Sequence, residues 1–131
     1  MIKLYTFSSC TSCRKARDIL VKNQIPFKEH NMNTQPLTDK ELLEILSYTT
    51  NGTTDIMSKR SQDVKELDID FDELSLHEWM NLVHQHPGLL RRPLLLTPFQ
   101  LIVGYNKEEY EGLIRKYTSK KKNFIHKAAC S

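Results

Sequence analysis

Two cysteines separated by two residues are the first candidates for chemistry in this chain. Cys10 and Cys13 lie in the stretch SSCTSCRKA, after a short apolar run and before a basic stretch that favours helix. A helix N-terminus presents unpaired N–H groups and a partial positive charge, which stabilise a thiolate, so Cys10 is expected to be the reactive cysteine. Two intervening residues let Cys13 close a disulfide with an oxidised Cys10 within the first helical turn. The spacing therefore predicts a reversible oxidant sensor, with Arg14 and Arg17 adding positive charge nearby.

Two other interpretations of the cysteine pair remain open. A tetrahedral zinc site needs about two further ligands, and the sequence offers only Cys130 and five histidines, of which His84 and His86 are close together. Alternatively, the two small residues merely fill a strand-to-helix turn. Because the chain has no second CxxC pair, no metal and no other cofactor is predicted.

A strand and a helix must position the pair. MIKLYTF is rich in strand formers, CRKARDILVKNQ has apolar residues at helical spacing, and IPFKEHNM suits a second strand parallel to the first. The cysteines would then lie where the first strand ends and the helix begins. Two apolar runs, Leu94 to Leu96 and Leu101 to Val103, predict a hairpin across a short turn, and a last helix follows as far as Tyr117.

The middle of the chain is predicted to be helical. Thr38 with Glu41, and Ser75 with Glu78, form capping-box patterns ahead of apolar residues. Asn51-Gly52 is expected to end the first of these helices in a turn, and Ser61 to cap a short helix between them.

The order of elements predicts an α/β fold, namely a thioredoxin-like fold interrupted by a helical insertion. Residues 1–36 and 87–117 would form the redox domain, residues 37–86 the insertion, and residues 118–131 a basic C-terminal tail without an assigned structure. Charge follows the same division. The net charge of +3 separates into +4 for residues 1–30, −7 for residues 31–86 and +6 for residues 87–131.

Composition excludes several classes of protein. Three cysteines are too few for a secreted disulfide scaffold, and no apolar run approaches the roughly 20 residues that span a membrane. We therefore expect a cytoplasmic protein with no membrane partner. The sequence contains no helix-turn-helix pattern, no zinc-finger spacing and no strongly basic domain. It therefore argues against direct, sequence-specific DNA binding.

Arg92-Pro93 is a second candidate feature. Thioredoxin-like folds place a cis proline at the start of a strand opposite the redox helix, and the cis form costs only about 0.5–1 kcal/mol before proline. The alternative is an ordinary trans strand entry with solvated arginines.

Four stretches together, CTSCRKAR, NGTTDIMSKRSQ, HPGLLRRP and VGYN, resemble the Spx family of redox regulators from low-GC Gram-positive bacteria. This family is related to glutaredoxin-dependent arsenate reductases. The resemblance implies that the protein binds the C-terminal domain of the RNA polymerase α subunit, approaches promoter DNA only within the polymerase complex, and redirects transcription during thiol stress. It also implies a Cys10–Cys13 disulfide as the switch, supported by Arg92 beside Pro93.

The resemblance assigns Gly52 to the α-subunit contact, where a side chain would obstruct docking, and Arg60 to the vicinity of promoter DNA. Gly52 has a second explanation, because Asn-Gly turns commonly require a positive φ. The chain departs from the family at Ser47 and Gln62, where arginine and lysine are usual. Its ending, NFIHKAACS, also departs from the sequence that takes part in delivery to the ClpXP protease, for which an adaptor is a further expected partner.

A competing function is an arsenate-reductase-like thiol oxidoreductase with Cys10 as nucleophile. Such an enzyme needs several arginines to hold a tetrahedral oxyanion. Gly104-Tyr105 occupies the stretch where those reductases carry a further arginine, and Cys13 stands where they have a small hydroxyl residue. The sequence therefore favours a regulator without enzymatic activity.

Overall fold

One four-stranded sheet forms the centre of the protein, in the order β2–β1–β3–β4. The computed structural model describes residues 1–58 and 62–130. The strands are β1, Ile2–Thr6; β2, Phe27–Asn31; β3, Leu94–Leu96; and β4, Leu101–Val103. β1 pairs with β2 in parallel and with β3 antiparallel, and β3 and β4 form the antiparallel hairpin that the sequence predicts.

Five α-helices and three short 3₁₀-helices complete the described part of the chain. The α-helices are α1, Thr11–Lys22; α2, Asp39–Leu46; α3, Gln62–Leu67; α4, Leu76–Gln85; and α5, Lys107–Cys130. The 3₁₀-helices are Gly52–Ile56, Phe71–Glu73 and Pro87–Leu89. Both predicted capping boxes are present, because the hydroxyl and the N3 glutamate exchange hydrogen bonds with backbone N–H groups at the starts of α2 and α4.

The sheet separates two hydrophobic clusters because successive side chains of a strand point to opposite faces. Leu4 and Leu95 pack with α1 and α5 on one face. Tyr5, Leu94 and Leu96 pack on the other face with the insertion, chiefly α2 and α4. The α/β, thioredoxin-like fold predicted from the sequence is confirmed. The division into a redox domain and an insertion stays a prediction, although the described residues between β2 and β3 form helices and no strand.

The prediction for the end of α2 is wrong. The helix ends at Leu46, before Asn51-Gly52, which instead begins the 3₁₀-helix. The hydroxyl of Ser47 donates to the Glu44 carbonyl at 2.6 Å, and that of Thr49 donates to the Leu46 carbonyl at 2.6 Å. These local bonds satisfy carbonyls of the last turn, so the helix stops early.

The last helix is longer than predicted. Sequence patterning supports a helix as far as Tyr117 and leaves residues 118–131 unassigned, whereas the backbone of α5 continues to Cys130. Neither glycine nor proline occurs between Leu113 and Cys130, so the sequence contains no residue that would break the helix there. In the described part of the chain, no helix is long and apolar enough to span a membrane.

Candidate functional site: a cysteine pair at a helix N-terminus

Cys10 is the residue that caps the start of α1. Its backbone is extended, and its Sγ accepts a hydrogen bond from the backbone N–H of Cys13 at 3.2 Å. The turn before it is held in place, because the backbone N–H of Ser8 donates to Asn33 Oδ1 at 2.6 Å. The next residue, Ser9, has a φ of +58°, which bends the chain sharply from β1 into the helix. The predicted position of the pair, at the end of β1 and the start of α1, is confirmed.

The two cysteines differ in exposure. Cys13 is completely buried, whereas Cys10 is partly exposed, and both are free thiols. Burial raises the pKa of the Cys13 thiol to about 12, and a hydrogen bond to Cys10 raises it further, against weaker opposing effects of the Phe7 backbone and Arg92. Cys13 therefore keeps its proton near neutral pH, while Cys10 is the sulfur that solvent reaches.

Arg92 and Pro93 lie beside this pair. The Arg92–Pro93 peptide bond is cis, as expected at this position of a thioredoxin-like fold. The guanidinium of Arg92 lies 4.3 Å from the centre of the Phe7 ring and donates to the carbonyls of Gly88 at 3.1 Å and Leu90 at 3.3 Å. The alternative of a trans strand entry is therefore wrong; of its two arginines, Arg92 is bonded in this way, whereas Arg91 is exposed.

The basic residues of α1 are directed elsewhere. Arg17 forms a two-point ion pair with Glu29 on β2, with Nη2 and Oε2 3.1 Å apart. Arg14 donates to Thr11 Oγ1 at 3.3 Å, on the exposed side of the helix. Because Arg17 is neutralised by its carboxylate partner, its expected support for charge at the cysteines is reduced.

The histidines named as metal candidates lie at the end of α4. His84 Nε2 lies 2.7 Å from Asp39 Oδ1, so it joins α4 to the start of α2, and His86 is the C-cap residue. Among the side chains that the structure describes, those of residues 1–58 and 64–118, no group of three or more His, Cys, Asp or Glu is arranged to hold a metal ion. The side chain of Cys130 lies outside that set.

Gly52 lies on a loop of the insertion, apart from the cysteine pair. Its φ is +71°, and a Cβ built on it meets nothing within 4 Å. The carboxylate of Asp55 fixes the loop by accepting backbone N–H bonds from Thr50 at 3.0 Å and Asn51 at 2.9 Å. These bonds hold the pKa of Asp55 below its usual range, with the Asn51 N–H as the largest cause.

A short path of backbone bonds joins this loop to Arg92. The 3₁₀-helix that Gly52 begins ends at Ile56, whose carbonyl accepts from the Arg91 N–H at 2.8 Å. The next residue, Met57, forms a β-bridge with Leu90. Arg60, together with Lys59 and Ser61, lies outside the described residues. The side chain of Gln62 also lies outside the described part of the structure.

Comparison with known proteins identifies the family. The ArsC family model matches residues 5–113. A protein named global transcriptional regulator Spx from Streptococcus mutans is 48% identical over 114 residues, covering 87% of this chain and 83% of its own. Another of that name from Streptococcus pyogenes serotype M1 is 45% identical over 116 residues, covering 88% of this chain and 87% of its own. The chain belongs to the ArsC family, as an Spx-type member.

Solved structures agree with this fold. An ArsC family related protein from Bacteroides fragilis has a TM-score of 0.73 at 23% identity, over 86% of this chain and 96% of its own. An arsenate reductase from Vibrio cholerae has a TM-score of 0.72 at 18% identity, over 87% of this chain and 95% of its own. The Spx-type chain therefore shares its fold with reductases.

Some residues of the Spx-type site escape sequence reasoning. Phe7 is predicted only as part of the first strand, yet its ring supports Arg92. Asp55 carries no such signal, although its carboxylate accepts backbone N–H bonds from Thr50 and Asn51. Tyr110 is read as an apolar position of the last helix, and its side chain is completely buried against α1, although its hydroxyl has no hydrogen-bond partner among the described residues.

Proposed function

We propose that this Spx-type protein is a transcriptional regulator that binds the C-terminal domain of the RNA polymerase α subunit and redirects transcription under thiol stress. A reversible disulfide between Cys10 and Cys13 is its switch. The observation that carries the proposal is the hydrogen bond from the Cys13 N–H to Cys10 Sγ, because it joins an accessible sulfur to a buried resolving cysteine one turn away. The names of the curated relatives support the role in transcription.

The disulfide forms in two balanced steps when the oxidant is a hydroperoxide. Cys10 sulfur attacks the peroxide, the O–O bond breaks, and Cys10 becomes a sulfenic acid while the peroxide is reduced to an alcohol or water. Cys13 sulfur then attacks Cys10 sulfur, and the departing hydroxide takes the Cys13 proton and leaves as water. Two electrons pass from the thiol pair to the peroxide. A dithiol reductant reverses the switch.

Arg92 supports the oxidised conformation in this proposal. Its guanidinium lies over the Phe7 ring and binds two carbonyls of the segment leading into β3, so it ties the turn before Cys10 to that segment. Closing the disulfide pulls on the same turn. Arg92 then transmits the change toward Leu90 and the bridge that Leu90 forms with Met57.

Gly52 is the proposed contact with the α subunit. The open space around its Cβ position means that an added side chain would extend outward rather than into the protein, and would therefore obstruct a docking partner. Ser47 is a weaker contact than the arginine usual in the family, because its hydroxyl already donates to the Glu44 carbonyl.

The remaining partners rest on the family resemblance. Arg60 is proposed to lie near promoter DNA once the polymerase is bound, and ClpXP with an adaptor is proposed to degrade the protein. A protein that works on RNA polymerase belongs in the cytoplasm, which is its proposed location.

The second candidate function is arsenate reduction with Cys10 as nucleophile, which the shared fold favours. The arrangement of arginines argues against it. The guanidinium of Arg92 already donates to two carbonyls. At Gly104, a Cβ would lie 3.7 Å from Arg91 Nη2. A tetrahedral anion needs several converging donors that no other bond occupies.

The deciding experiment measures binding of the purified protein to the isolated α-subunit domain, with Gly52→Arg as the variant. Val21→Arg adds the same side chain on the exposed face of α1 and is the matched control. Mass spectrometry of the Cys10–Cys13 bond and arsenate turnover are measured on the same samples. Binding lost only in Gly52→Arg, with reversible disulfide formation, supports the regulator. No binding, together with arsenate turnover that depends on Cys10, would establish the enzyme instead.

A further inference from the structure

The strand β4 is an open edge of the sheet. It pairs with β3 on one side, and no described strand pairs with its other side. Its residues, Leu101, Ile102 and Val103, are all apolar, whereas β2 at the opposite edge carries Lys28 and Glu29. Proteins usually protect an edge strand with charged side chains or proline, because unpaired backbone groups can pair with another chain. β4 has neither, so its open edge calls for an explanation.

The register with β3 shows which backbone groups of β4 are open. Residues of an antiparallel pair alternate between those bonded to the partner strand and those whose N–H and C=O groups point away from it. The bonded pairs that flank β4 are Thr97 N–H with the Gln100 carbonyl at 2.9 Å, and Gly104 N–H with the Pro93 carbonyl at 2.8 Å. By this alternation Ile102 faces Leu95 of β3, and the N–H and carbonyl groups of Leu101 and Val103 face outward. Among the described residues, no backbone group is bonded to them from outside the hairpin.

A cavity of about 780 Å³ lies alongside this open edge. Leu101 and Val103, both partly exposed, line it from β4. The insertion contributes further lining residues, namely Tyr48, Thr49, Thr50, Met57 and Ser58. We call the open edge of β4 and this cavity the edge groove. Successive side chains of a strand point to opposite faces, so a chain paired with β4 would place every second side chain on the cavity side.

The charges of the edge groove indicate the kind of chain that fits it. Its lining includes two carboxylates, Asp55 and Glu109, and one guanidinium, that of Arg91. Glu108 is exposed beside Glu109 in the first turn of α5. Residues 31–86, which include the insertion, carry a net charge of −7. A basic segment therefore complements the groove, and an acidic segment would be repelled.

We propose that the edge groove binds an extended, basic segment of a partner protein, which joins the sheet as a further strand beside β4. Backbone hydrogen bonds to Leu101 and Val103 supply affinity, and the cavity selects the side chains on one face of the bound strand. The interaction requires neither the disulfide nor the α-subunit contact, so it goes beyond the proposed function.

The first test uses peptides, which leave the protein unchanged. A short, fluorescently labelled peptide of alternating lysine and valine is titrated with the full chain, and its glutamate–valine counterpart is expected to bind about tenfold more weakly. Two further versions carry N-methyl groups, one on the lysines and the other on the valines. Only every second N–H of an added strand faces β4. One methylated version should therefore lose about tenfold in affinity, while the other binds like the parent peptide.

Val103→Pro tests the same edge from the protein side, with Val103→Thr as the matched control. Proline removes the outward N–H of this residue and leaves the bonds between Ile102 and β3 in place, as edge positions allow. Threonine keeps both the N–H and the branched side chain. Affinity for the lysine–valine peptide is expected to fall about tenfold in Val103→Pro and to be retained in Val103→Thr. Thermal unfolding verifies that both variants fold, and the methylated peptides decide the question if Val103→Pro does not.

Each outcome decides the inference. Binding of the lysine–valine peptide that is weakened by one methylation pattern, by glutamate and by a folded Val103→Pro protein supports it. No binding at millimolar peptide overturns it, as do equal effects of the two methylation patterns or full binding by folded Val103→Pro. Sedimentation equilibrium tests the alternative occupant. A dimer that Val103→Pro dissociates would show that a second copy of this chain covers the edge, and would also overturn the proposal.

Discussion

The guanidinium of Arg92 lies 4.3 Å from the centre of the ring of Phe7, a residue that stands three positions before Cys10. This cation–π contact joins the strand that leads to the cysteine pair with the segment that leads into β3. The two hydrogen bonds to the carbonyls of Gly88 and Leu90 fix the guanidinium in that position. The turn before the cysteines is thereby joined to Leu90, whose bridge with Met57 reaches the insertion.

Arg92→Ala should weaken activation by the oxidised protein more than it weakens folding. The cation–π contact contributes about 0.5–1 kcal/mol at partly exposed sites, so the loss of stability should be modest. The response of diamide-induced transcripts should fall severalfold. Arg91→Ala, at the exposed neighbouring position, is the control and should respond like wild type. An Arg92→Ala protein with a full diamide response would remove Arg92 from the switch.

Cys10→Ala should abolish the response to diamide, because the sulfur that oxidant reaches is lost. Cys13→Ala should leave Cys10 oxidisable without an internal partner, and mass spectrometry should then detect sulfenic acid or mixed disulfides at Cys10. Cys130→Ala is the control and should keep the normal response. Transcript levels before and after diamide provide the measurement, and an unchanged response in Cys10→Ala would argue against the switch.

Gly52→Ala should destabilise the protein by roughly 1 kcal/mol while retaining binding to the α-subunit domain. The φ of +71° is strained for any residue with a Cβ, but a methyl group meets nothing within 4 Å. Urea unfolding measures the first effect, and a pull-down measures the second. Comparison with Gly52→Arg separates backbone strain from obstruction of the partner. Loss of binding in Gly52→Ala would mean that the loop conformation, rather than free space, is required.

Stability should fall as the pH rises above about 9. Burial, followed by the hydrogen bond to Cys10, raises the pKa of Cys13 from 9.0 to about 12. The unfolded chain therefore loses this proton first. The stabilisation is fully present below pH 9 and is lost as the pH rises toward 12. Urea unfolding at several alkaline pH values should show a decline that is shallower in Cys13→Ala. Equal slopes in the two proteins would contradict this assignment.

Much of the fold follows from local patterns in the sequence. The capping boxes at Thr38 and Ser75 depend on residues three positions apart, and the hairpin bounds follow two apolar runs separated by a short turn. The end of α2 is mispredicted because the hydroxyls of Ser47 and Thr49 compete for the last carbonyls. Helix propensity scales give little weight to such side-chain hydrogen bonds to the backbone.

The sequence by itself determined that Cys10 and Cys13 form a pair at the start of a helix, since their spacing and the adjoining strand are contiguous in the chain. The tertiary structure alone decided that Cys13 is buried and Cys10 partly exposed, that Arg92 contacts Phe7, and that Tyr110 of α5 packs against α1. Burial and pairing of this kind depend on how α1, β3 and α5 pack together. Residues far apart in sequence meet only where these elements pack together, and the free energy of burying a thiol or a hydroxyl depends on that environment.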